Sequence, residues 1–141
     1  MAPKKQNPFL LKDFRGVSPE ILEKLAAIGV KKAAQMLSAG QTPEKRAALA
    51  KDAGISAEAV LELVKLSDLA RLPGVKGIRA RLYYDAGVDS VEKLAACEPE
   101  ALLAMTAEFV ARSGFDGIAP LPKEVSSTID NARNLPKIVA W

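Results

Sequence analysis

Two segments, FRGVSPEILEKLAAIGV (Phe14–Val30) and LPGVKGIRARLYYDAGV (Leu72–Val88), align without a gap at an offset of 58 residues. The offset sets Gly16 over Gly74, Val17 over Val75, Gly29 over Gly87 and Val30 over Val88, and it also matches Leu11 with Leu69 and Met36 with Leu94. An internal repeat restricts the fold strongly, because both copies must adopt one local structure and neither short unit can bury its apolar face alone. Each copy reads as a short apolar segment, a tight Gly-Val turn, a helix of about ten residues and a second Gly-Val turn.

The intervening sequence continues in helical spacing. In the first copy Ser18 stands where a cap is wanted and Pro19 at the first helical position. TPEKRAALAKDAG opens on a Thr cap and proline and closes on Gly54, while SAEAVLELVKLSDL spaces Val60, Leu61, Val64 and Leu69 helically. DSVEKLAA, EPEALLAMTAEFVARSG and KEVSSTIDNARNL read as further helices, and FDGIAPLP reads as a loop. No segment alternates with period two for the length of a strand, so the expected class is all-α. The expected layout is a flexible 1–8, a first unit over 9–66 and a second over 67–141, packed as one domain.

The Gly-Val turns at both ends of a short helix resemble the helix-hairpin-helix motif, within the SAM-like class of folds. More broadly, GVSPEILEKLAAIGV, KRAALAKDAGIS, SDLARLPGV, AGVDSVEKLA, PEALLAM and a late proline before a terminal helix resemble the domain-of-unknown-function family 4332 over Phe9 to Leu135. That resemblance implies tandem units of this kind and assigns no activity. In DNA-binding helix-hairpin-helix proteins the hairpin reads Gly-hydrophobic-Gly, and its N–H groups with the following helix N-terminus hold a phosphate oxygen. Here Ser18 and Lys76 replace the second glycine, so a left-handed backbone at either would be strained by about 1–2 kcal/mol. Gly77 offers a one-residue shift that relieves the second turn.

The second hairpin carries Arg71, Lys76, Arg79 and Arg81 with no acidic residue from Leu69 to Tyr84, whereas the first mixes both signs. Gly74, Lys76, Gly77, Arg79 and Arg81 are therefore the candidate contacts to a DNA or RNA backbone, the glycines for close approach and the cations for field. The alternative is that Arg71 pairs with Asp68 and Arg81 with Asp85 on a solvated helix face, in a protein-interaction or self-associating module. Tyr83 and Tyr84 lie over Leu25 and Ala26 in the repeat, which places them inward or half-buried, against a base-stacking role. Trp141 has three readings: packed, frayed or a partner contact.

The acidic stretch Asp89–Phe109 spreads its carboxylates over several helix faces, which suits solvation or docking to a basic partner better than a metal. With no histidine, Ser-His-Asp and Cys-His nucleophiles and histidine zinc sites are excluded. The lone Cys97 reads as a small apolar side chain. FDGIAP is similar to the Gly/Pro-rich loop and aspartate that follow the hairpin in some DNA glycosylases. The chain is shorter than those enzymes, and a loop carboxylate without a pocket is not a mechanism, so a non-enzymatic protein without cofactor is expected. MAPKKQNPF lacks an apolar core after its lysines, and no run approaches the ~20 apolar residues of a membrane span, so the expected location is cytoplasmic and off the membrane. The net charge of +3 is too small to argue for a polyanion partner by itself.

Overall fold

The computed structural model describes residues 9–141, so the expectation for 1–8 lies outside the described residues. After a 3-10 turn at Leu11–Asp13 come eight α-helices: α1 Pro19–Ala26, α2 Ala33–Ala39, α3 Pro43–Ala53, α4 Ala57–Leu69, α5 Gly77–Asp85, α6 Val91–Ala95, α7 Pro99–Ser113 and α8 Pro122–Asn134. Among the described residues the only β-type pairing is an isolated bridge between Leu10 and Lys32, and the class is all-α. No described helix is long and apolar enough to cross a membrane.

The local chemistry that starts and stops these helices is largely that of their sequence. Thr42 Oγ1 accepts from Lys45 N at 3.2 Å, Ser56 Oγ from Ala59 N at 3.1 Å and Ser90 Oγ from Lys93 N at 3.1 Å, each satisfying an otherwise orphaned N–H. Prolines occupy the first turns of α1, α3, α7 and α8. Ser18 departs from expectation, because it occupies the position before α1 but its hydroxyl accepts no capping bond.

The turn glycines take matching conformations in the two copies. Gly16 and Gly74 have φ of 76° and 80°, and Gly29 and Gly87 have φ of 85° and 100°. The last pair terminate α1 and α5 alike, with Val30 N donating to Leu25 O and Val88 N to Tyr83 O, both at 2.9 Å. Ser18 and Lys76, by contrast, are extended with φ of −62° and −113°, so the missing second glycine introduces no strain. Gly77 opens α5 as its first helical residue and plays no part in relieving the turn.

In the first half α2 and α3 pack on α4; in the second, α6 and α7 pack on α8. The halves meet where α4 lies against α5, and the division at 66/67 falls inside α4. Leu25, Met36, Val60, Leu63 and Leu66 from the first half join Leu72, Tyr83, Leu94, Leu102 and Ile129 from the second in one continuous core. At about 1.5–3 kcal/mol for each fully buried large apolar side chain, this shared core is the main favourable term.

Candidate functional site

The turn before α5 closes with Val75 N donating to Leu72 O at 3.0 Å. Gly74 lies at its exposed corner with open space where a side chain would stand. Lys76 follows, exposed, and enters no ion pair among the described residues. These two candidate residues face solvent beside the N-terminal end of α5.

The other three face the protein. Gly77 is buried against the backbone of Asp13 and Phe14, where an added Cβ would overlap the Asp13 carbonyl. Arg79 donates from Nε to Glu124 Oε2 at 2.5 Å and from Nη2 to Glu124 Oε1 at 3.2 Å, and its Nη1 reaches the Ile118 carbonyl. Arg81, its side chain 8% exposed, donates to Arg15 O at 2.7 Å, Glu62 Oε1 at 2.9 Å and Asp85 Oδ1 at 3.3 Å. Its guanidinium lies beneath Gly16 and 5.5 Å from the Tyr84 ring centroid. The stretch around the hairpin lacks acids in sequence, but the fold supplies them from α4, from α8 and from the end of α5 itself. Local clustering of like charge along the chain therefore overstates the free field at this surface.

The expected short-range pairs form, with Arg71 bound to Asp68 at 2.7 Å and Arg81 to Asp85 at 3.3 Å, but Asp68 and Arg81 are buried while Asp85 is exposed. The Asp68 side chain is only 3% exposed; burial raises its carboxyl above the usual range, against the opposing pull of Arg71. Arg71 also donates to Pro136 O at 3.1 Å, which ties the segment after α8 back to the first turn. Tyr83 is fully buried and Tyr84 half-buried, as their repeat partners imply, and burial pushes both hydroxyls upward. Cys97 is half-buried, its Sγ donates to Lys93 O at 3.2 Å, and burial raises its thiol.

Sequence reasoning missed the loop 114–121 as part of this surface. Its Asp116 pairs with Arg15 at 3.4 Å, its Ile118 carbonyl holds Arg79, and its Gly117 lies against Ile78. It carries Ile118 and Leu121 outward at 80% and 69% exposure, and Ile78 is exposed beside it.

The acidic segment after α5 is also drawn into the structure. Asp89 receives Lys65 Nζ at 2.6 Å and Lys93 Nζ at 2.8 Å. Burial alone would raise its carboxyl, but the hydrogen bonds and charges of the two lysines outweigh burial and hold it below the usual range. Glu92 accepts from Trp141 Nε1 at 3.3 Å, and the indole centroid lies 5.6 Å from both Arg46 Cζ and Lys65 Nζ, so Trp141 is held against the helices while still 36% exposed. Among the described residues no three potential metal-ligating side chains converge. A cleft of about 430 Å³ between Phe9, Leu37, Gln41, Ser67, Arg71 and Ile138 is mainly apolar, and its arginine is the one already bound to Asp68.

No curated protein and no solved structure matches this chain. A family model described as a domain of unknown function, DUF4332, matches residues 15–135, and by that match, which covers most of its length, the chain belongs to the DUF4332 family.

Proposed function

We propose that this chain is a non-enzymatic module of two helix-hairpin-helix units, about 9–66 and 67–141 with α4 carrying the junction, that works as a protein-interaction or scaffold unit. The observation that carries the reading is the internal engagement of Arg79 and Arg81, the cations a phosphate grip would need. The exposed Ile118 and Leu121 beside them supply apolar contact area instead. Matching φ at Gly16 and Gly74, and at Gly29 and Gly87, supports the paired-hairpin architecture.

One observation favours a second reading, weak sequence-independent binding of a nucleic-acid backbone. Gly74 is open, Lys76 is exposed, and the first N–H groups of α5 lie next to both. Fluorescence anisotropy with short duplex and single-stranded DNA across a salt series separates the two. The interaction reading expects no Lys76-dependent binding at low salt. Salt-sensitive binding that Lys76→Ala weakens, with the log–log slope shallower by about 0.9, the value for one released counterion, would overturn it.

A further inference from the structure

The apolar cleft of about 430 Å³ lies between α2 and the C-terminal end of α4, with Phe9 and Ile138 at its edges. Its depth comes from short side chains, Ala33 and Ala34 on one wall and Ser67 and Ala70 on the other. The repeat does not demand this gap. Aligning the 13-residue α4 and α8 end to end sets the buried Val60, Leu63, Val64 and Ser67 over Val125, Thr128, Ile129 and Ala132, which are buried too. At that alignment Ala70 lies over Leu135, and at the repeat offset Ala33 lies over Val91, so the second half carries larger side chains where the first leaves room.

Ser67 gives the cleft its chemistry. It is 1% exposed, and among the described residues its Oγ has no hydrogen-bond partner, although alanine serves at the equivalent position of α8. An unpaired buried hydroxyl is costly and calls for a partner. Charge restricts what that partner can be. Arg71, one helical turn on from Ser67, is the one charged side chain in the cleft wall among the described residues, and it is already bound to the buried Asp68 at 2.7 Å. An anionic ligand would have to share that guanidinium with a buried carboxylate, and a cationic one would meet the guanidinium itself. The outer wall is built before any ligand enters, because Arg71 Nη1 donates to Pro136 O and Gln41 Nε2 to Ile138 O, both at 3.1 Å.

We propose that this cleft binds a small, uncharged, largely apolar molecule whose carbonyl oxygen accepts a hydrogen bond from the Ser67 hydroxyl. The volume falls within the range of small-molecule sites, roughly 300–1,000 Å³, and suits about 15 to 20 non-hydrogen atoms. The apolar walls supply affinity, and the hydroxyl selects the polar group and its position. The ligand class is therefore an aliphatic or aromatic ketone, ester or amide. The site shares none of Gly74, Lys76, Gly77, Arg79 and Arg81, and it goes beyond the interaction-module reading without depending on it.

Fluorescence titration with prodan, an uncharged naphthyl ketone of about that size whose emission shifts in an apolar site, tests it. The full chain added to dilute dye should give saturable one-to-one binding with a dissociation constant on the order of 10 to 100 μM, ordinary for so few contacting atoms. Ser67→Ala should weaken it about fivefold, while urea unfolding of the unliganded variant shows a stability no lower than the parent's; a hydroxyl with a structural role would lower it. Ala34→Trp, at an exposed position of the wall, should abolish binding and leave the helical circular dichroism unchanged. The same naphthalene bearing a carboxylate in place of the ketone should bind about tenfold more weakly. A parent chain without saturable binding, an Ala34→Trp chain that binds like the parent, a Ser67→Ala chain with unchanged affinity or lowered stability, or a carboxylate that binds as well as the ketone would each overturn the proposal.

Discussion

Gly74 and Gly77 stand three positions apart and lack side chains for different physical reasons. Gly74 needs φ of 80° at an open corner, while Gly77 has helical geometry but no room for a Cβ against Asp13. Gly74→Ala should therefore lower stability by about 1 kcal/mol through left-handed strain alone. Gly77→Ala should lower it by about 2–3 kcal/mol, since backbone on both sides of the contact must shift. Urea unfolding of the two variants checks the order, and a Gly77 variant as stable as the Gly74 one would refute the close contact. Asp89 gives a second prediction at this scale. Its native carboxyl is held below its unfolded value, so its contribution is present above about pH 3.9 and lost as pH falls through the native value. Asp89→Asn should thus be less stable than the parent by about 1 kcal/mol near neutral pH, with the gap closing in acid. Parallel urea titrations at pH 7 and pH 3 would show it, and a gap that widens in acid would contradict the lysine clamp.

At the level of the element, what is legible in sequence is what depends on neighbours along the chain. The prolines and Thr42 announced their helices, and Gly54 and Gly114 ended theirs in left-handed conformation. Helix α2 had no such announcement: Lys32 precedes it, Gln35 Oε1 accepts from Lys31 N and Lys32 N, and Ala33 N is satisfied by Phe9 O, a partner remote in sequence. The candidate site was legible in part, for Arg81–Asp85 lies at helical spacing, whereas Glu62 and Glu124 reach the arginines only through tertiary packing. Ser18 and Thr42 look alike as caps in sequence and differ in structure. Thr42→Ala should destabilise by about 1 kcal/mol and Ser18→Ala by a few tenths at most, because only Thr42 holds a helix N–H. Thermal melts of the two variants distinguish them, and equal losses would mean that the Ser18 hydroxyl caps in solution.

The whole molecule is held together across its repeat by side chains that belong to neither half alone. Arg81 on α5 reaches Arg15 O in the first turn and Glu62 on α4, while Lys65 on α4 reaches Asp89 beyond α5. Trp141 lies beside Arg46 and Lys65 of the first half and donates from Nε1 to Glu92 Oε1 of the second. With one core running through both halves, neither has an independent interior to retain when the other opens. Unfolding should therefore be a single transition, with Trp141 fluorescence and helical circular dichroism superimposing in urea. Arg81→Met should lower stability by about 2–4 kcal/mol, because it leaves the partly buried Glu62 and Asp85 carboxylates without their cation and frees the Arg15 carbonyl. It should do so by moving the common midpoint, since the apolar contact between α4 and α5 remains. If the two probes separate in the parent chain, the halves fold as independent domains; if they separate only in Arg81→Met, this one guanidinium accounts for the coupling that the shared core is expected to supply.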